Sequence, residues 1–92
     1  MKAQMSRHAQ ARMQQRGIAR SAINYVLDFG REYHDHHGAV IVMLDHSAVQ
    51  HIARTGAARG STLDALRGLY AVIASDGSVR TVGHRTRRLR RH

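Results

Sequence analysis

Two apolar runs on either side of Asp76-Gly77 constrain this chain more than any other feature. Residues 69–75 (LYAVIAS) and 78–85 (SVRTVGHR) alternate in the manner of strands, and Asp-Gly between them suits a two-residue type I′ turn. In that register Ser75 faces Ser78, Ile73 faces Arg80, Ala71 faces Val82 and Leu69 faces His84. One face then carries Leu69, Ala71, Ile73, Val82 and His84, and the other Tyr70, Val72, Val79, Thr81 and Arg85. Both faces are part apolar, as expected for a strand pair near the middle of a sheet.

The N-terminal half reads as helix. Ser6 can cap a helix over residues 7–16, with Gly17 as its left-handed terminator. Met5, Ala9 and Met13 recur every fourth residue as an apolar stripe, and His8, Arg12 and Arg16 form a polar stripe beside it. A second helix occupies residues 21–29 and is closed by Gly30. Ser21 is the better capping side chain, but a cap at Ala19 lets Ile18 and Ile23 form a hydrophobic staple. Residues 31–37 then read as a polar edge strand, Gly38 as a turn, and residues 39–44 (AVIVML) as a buried strand. Asp45 or Ser47 can cap a short helix that runs through Arg54 and ends at Gly56. Residues 57–62 (AARGST) read as a loop, and residues 63–66 as either a helical turn or an early strand. The expected fold is α+β: a helical pair, then a curved, mainly antiparallel sheet with one inserted short helix.

With 92 residues the chain suffices for one domain, here residues 1–92 with a basic C-terminal extension from about residue 85. It has no cysteine, which excludes disulfides and finger-type zinc sites. No apolar run is long enough to span a membrane, and the N-terminal MKAQMSRHAQ lacks the apolar centre of a secretory signal. A cytoplasmic location is therefore expected.

Charge narrows the partners. Fifteen basic residues face six acidic ones, for a formal net charge of +9. Fourteen of the fifteen are arginine, which forks onto phosphate oxygens and stacks on bases. Such a balance points to a polyanion, RNA above all, although an arginine bias in the coding sequence gives the same count. An acidic protein partner is a second option.

The segment SRHAQARMQQRGI, residues 6–18, resembles the opening of a bacterial family known as domain of unknown function 4258. The resemblance rests on His8-Ala9, Arg12-Met13 and Arg16-Gly17-Ile18 at fixed spacing. It continues through LDFG at residues 27–30 and HHGAVI at residues 36–41, and closes with residues 75–91; residues 45–67 match poorly. That family is similar to the RelE and ParE type toxins, with a helical pair before a curved antiparallel sheet. The resemblance implies an endoribonuclease that needs no metal or other cofactor and is held in check by a cognate antitoxin. ParE-type relatives instead bind a protein target and cleave nothing.

Metal-free RNA cleavage needs a base for the ribose 2′-hydroxyl, an acid for the leaving oxygen and cations for the phosphorane. His8 and His84 are candidates for the first two roles if the first helix packs across the sheet. Arg12 and Arg85 would hold the scissile phosphate, with Arg16 as a supporting cation. Tyr70 can stack on a base or donate to phosphate, and Tyr33 can do the same from the edge strand. Tyr25 and Phe29 read as core. Arg87, Arg88, Arg90 and Arg91 extend the last strand as phosphate contacts.

Each of these residues also has a plainer role. His8 can lock the helical pair through the backbone, Arg12 and Arg16 can be a solvated face or can pair with Asp28 or Asp76, and His84 can be an exposed strand residue. The tail can add solubility or receive an acidic antitoxin segment. His34, Asp35, His36 and His37 alternate along a strand, so two at most would meet one ion, and no metal site is assigned. The leading expectation is a toxin-type endoribonuclease acting on single-stranded or ribosome-engaged RNA. The alternatives are a non-catalytic module binding nucleic acid or ribosomes and a toxin that inhibits a protein. The edge strand at residues 31–37 can also pair with another chain.

Overall fold

A computed structural model of the chain describes residues 4–34 and 38–85. Asp35, His36 and His37, and the tail cations Arg87, Arg88, Arg90 and Arg91, lie outside the described residues. The expected α+β architecture is observed. Helices α1 (Arg7–Arg16) and α2 (Arg20–Phe29) precede strands β1 (Arg31–His34) and β2 (Val40–Met43). Helices α3 (His46–Thr55) and α4 (Ser61–Leu66) then lead to β3 (Leu69–Ile73) and β4 (Val79–His84). The strands form one antiparallel sheet in the order β1-β2-β3-β4.

The local chemistry accounts for most boundaries. The Ser6 hydroxyl accepts the Ala9 N–H at 3.0 Å, and Gly17 ends α1 at φ 63° with its N–H on carbonyls of the last turn. Helix α2 begins at Arg20 rather than Ser21. Its cap is Ala19, which has no side-chain hydrogen bond, and the buried Ile18 and Ile23 flank that start as a staple. Asp45, not Ser47, caps α3 by accepting the Ala48 N–H at 2.9 Å. Gly30 ends α2 in an extended conformation. It is needed for closeness: a Cβ there would come within 2.5 Å of the Val26 carbonyl and of Val42 Cγ1.

Three expectations are corrected. The loop expected over residues 57–62 is cut short at Gly60, because Ser61 and Thr62 open α4; two helices, not one, are inserted between β2 and β3. The strand at β2 is half-buried: only Val42 is fully covered, since the strand has helices on one face only. The hairpin loop has three residues instead of two. Gly77 N–H donates to the Ala74 carbonyl, Ala74 N–H to the Ser78 carbonyl, and Gly77 sits at φ 90°. A bulge follows, in which Val79 rather than Arg80 pairs with Ile73 while Ala71 still faces Val82 and Leu69 still faces His84. Val79 thereby joins the core face.

That face carries Val42, Leu69, Ala71, Val79 and Val82, which meet Ile23 and Val26 of α2, Val49 and Ile52 of α3 and Leu66 of α4. Fully burying a Val, Leu or Ile side chain stabilises by roughly 1.5–3 kcal/mol, so this layer is the source of the fold's stability. Helix α1 lies against the outer edge of β4. Ser6 N–H donates to the Val79 carbonyl, Val79 N–H to the Gln4 carbonyl, and the Ser6 hydroxyl to the Arg80 carbonyl at 3.2 Å. The β4 edge is thus tied down, while all four residues of β1 at the other edge are exposed.

Candidate functional site

The second face of the sheet presents Tyr33, Ile41, Met43, Tyr70, Val72, Thr81 and Gly83, as the strand register and alternation require. The side chains in its centre are only half-buried, and Tyr33 is 43 % exposed. The face is a broad, accessible surface with aliphatic and aromatic groups in the middle and guanidinium groups around them.

Arg16 reaches this surface from the last turn of α1. Its Nη1 donates to the Val82 carbonyl at 3.1 Å, which fixes the guanidinium beside Gly83. A Cβ at Gly83 would collide with that nitrogen and lie 2.8 Å from the Tyr70 hydroxyl. The missing side chain is therefore what lets Arg16 and Tyr70 occupy the same spot. Arg85, the first residue past β4, points to the same side and donates from Nη1 to Met43 Sδ at 3.3 Å.

The remaining members of the α1 stripe bond to each other. Arg12 Nε donates to His8 Nε2 at 3.4 Å, a bond that only an unprotonated ring nitrogen can accept. His8 is exposed, and neither Arg12 nor Arg16 pairs with Asp28 or Asp76. Asp76 instead accepts from both the N–H and the hydroxyl of Ser78, at 2.9 and 2.7 Å, and these bonds hold its carboxyl below the ordinary range.

His84 does not join this group. It belongs to the helix-covered side, opposite Leu69, and its Nε2 lies 3.0 Å from the Ala65 carbonyl of α4. His8 sits beside the start of β4 and His84 is that strand's last residue. The structure brings Arg16, Tyr70 and Arg85 to one side, while Arg12 and His8 pair with each other on α1. It does not bring His8 and His84 into one cleft. Tyr25 and Phe29 are half-buried against the core, as expected, with ring centroids 6.2 Å apart and the Tyr25 hydroxyl donating to the Ala57 carbonyl at 2.9 Å.

Sequence reasoning missed one cluster. At the β1 edge Tyr33 donates its hydroxyl to Asp45 Oδ2 at 2.7 Å, and Arg31 Nε lies 3.5 Å from the same oxygen. Burial pushes the Asp45 carboxyl up, but the bonds from Tyr33 and Ala48 and the charge of Arg31 outweigh it and leave the group below its ordinary value. The same bond raises the Tyr33 hydroxyl, which stays protonated. The partners are twelve or more residues apart, so no spacing signal announces them.

Among the described residues no group of three or more His, Asp or Glu side chains is arranged to hold a metal ion. None of their helices is long and apolar enough to cross a membrane. A groove of about 640 Å³ lies between α1 and α2, bordered by Met13, Ile18, Arg7 and Arg20.

No curated protein and no solved structure matches the chain. One family model does: that described as Domain of unknown function (DUF4258) matches residues 5–56, from the strap before α1 to the end of α3. The match extends through residues 45–56, where the sequence resemblance was weak, and stops short of the hairpin. It spans more than half of the chain, which therefore belongs to the DUF4258 family.

Proposed function

We propose that this protein binds single-stranded RNA on the uncovered face of its sheet. The observation that carries the proposal is the seat at Gly83, where the Arg16 guanidinium and the Tyr70 hydroxyl share one position and Arg85 stands on the same face. Arginine supplies charge-assisted bonds to phosphate, and a half-exposed tyrosine offers a ring for a base. The net charge of +9 favours the encounter with any polyanion. Within this proposal the tail cations add phosphate contacts, and the protein acts in the cytoplasm as a relative of the RelE and ParE type toxins, with an acidic antitoxin as its natural inhibitor.

Cleavage of the bound strand is the second reading, and the placement of Arg16 beside the Tyr70 hydroxyl, on the helix that also carries Arg12 and His8, favours it. His8 would then take the proton of the 2′-hydroxyl, Tyr70 would give its proton to the leaving 5′-oxygen, and Arg16 and Arg85 would hold the phosphate. His84 has no part in such a site.

Two measurements test the proposal. Fluorescence anisotropy with a labelled single-stranded RNA should give binding that weakens steeply with salt and is lost in an Arg16→Gln, Arg85→Gln variant. Induced expression in bacteria, followed by growth and by total RNA integrity, separates the two readings. Fragmented RNA indicates a ribonuclease, and intact RNA with salt-sensitive binding indicates a non-catalytic module. Growth arrest without RNA binding would sink both and point to a protein target.

A further inference from the structure

The register places a row of side chains straight across the uncovered face. Arg31 on β1 pairs with Met43 on β2, Met43 with Tyr70 on β3, and Tyr70 with Gly83 on β4, where Arg16 is seated. The row starts and ends in a guanidinium. Three interstrand steps separate its ends, about 14 Å. Arg85 stands over its middle through Met43, and Tyr33 lies beside Arg31 at the far end. Both far-end side chains are held by one carboxylate, Asp45, through bonds to Tyr33 and Arg31. The strip therefore has a fixed cation and a fixed ring at each end: Arg16 with Tyr70, and Arg31 with Tyr33.

We infer that the bound RNA strand runs across the β-strands along this row, and that Arg31 and Tyr33 form its second anchoring subsite, positioned by Asp45. The inference rests on the RNA-binding role proposed above and adds the path and the far anchor. A single strand fits this geometry because its bases are free to turn toward the rings while its phosphates follow the cations. An A-form duplex hides its base faces in the stack and would meet only the charges.

The test is a salt titration of octauridylate binding by the full chain, with the Arg31→Gln, Tyr33→Leu and Tyr33→Phe variants. Arg54→Gln, on the exposed side of α3, is the control for diffuse charge. Arg31→Gln should flatten the slope of log affinity against log salt by about 0.7, the contribution of one phosphate contact on a single strand. Tyr33→Leu should weaken binding by roughly 5- to 150-fold, as for loss of one stacked base, and Tyr33→Phe should restore most of it. Circular dichroism confirms that each variant folds, which the exposure of β1 leads one to expect. If the wild type does not bind octauridylate, the RNA-binding role itself falls and this inference with it. If it binds, but Arg31→Gln and Tyr33→Leu match the wild type while Arg16→Gln weakens binding, the cross-strand path is overturned and the binding role stands. A slope change in Arg54→Gln equal to that in Arg31→Gln would also overturn the path.

Discussion

The two faces of the sheet are built on opposite principles. On the helix-covered face Leu69, Ala71, Val79 and Val82 are completely removed from solvent, and the described residues include no buried polar or charged one. On the other face Met43, Tyr70 and Thr81 are half-buried at most and are ringed by Arg16, Arg31 and Arg85. A chain of this size needs only one face to build a core. The other is free to hold groups chosen for what they bind. The contrast separates positions where substitution costs stability from positions where it costs recognition.

The largest effect is expected on the covered face. Leu69→Ala should lose about 2–5 kcal/mol in urea unfolding. A loss below 1 kcal/mol would mean that the two faces are not so unequal. The next tests the seat on the open face: Gly83→Ala should displace Arg16 and Tyr70 and weaken RNA binding about tenfold, roughly 1.4 kcal/mol, while circular dichroism stays native. Unchanged affinity would remove the seat from the binding site.

Asp45 sharpens the comparison because it serves both purposes, capping α3 and holding Arg31 and Tyr33. Asp45→Ala should cost about 1 kcal/mol from the lost cap, and Asp45→Ser should recover most of that without restoring the open-face bonds. Because the folded carboxyl titrates below its unfolded value, its contribution is complete above the unfolded pKa and is lost as the pH falls through the folded one. Stability of the wild type should therefore decline on acidification below about pH 4, and Asp45→Asn should flatten that decline. The smallest effect belongs to Val72→Ala on the open face, about 0.5–1 kcal/mol for a half-buried side chain, in the same unfolding experiment.

Much of this contrast was legible in the sequence. The α1 caps and the His8, Arg12 and Arg16 stripe follow from local spacing, and so does the alternation that sets Tyr70 against Leu69. Helix α4 was left open between a helical turn and a strand at residues 63–66, and its start at Ser61 went unread, because a six-residue helix gives no periodic signal and opens after Gly60 with no side-chain cap. The start of α2 was readable only through Ile18 and Ile23, since no capping side chain is used. The supposed pairing of His8 with His84 failed for a different reason. Alternation already grouped His84 with Leu69 and Ala71; what no local pattern supplies is the side of the sheet along which α1 lies. The Arg31, Tyr33 and Asp45 cluster was out of reach on the same ground, as a product of strand pairing between distant residues.

The bulge at Arg80 has a consequence for how this hairpin can vary. Strand β4 sends both Val79 and Val82 inward, three positions apart, which strict alternation forbids. With Val79 inward and no extra residue absorbed, Gly83 would turn toward the core and Arg16 would have no seat. Arg80 thus acts as a phase shifter between the turn and the end of the strand, and its carbonyl is held by the Ser6 hydroxyl that caps α1. Gain or loss of a single residue in the turn can be taken up at that point without rotating the outer half of β4. The loop tip is free to drift in length while Gly83 keeps its orientation, so relatives that differ by one residue between β3 and β4 should differ at the bulge and agree at the seat.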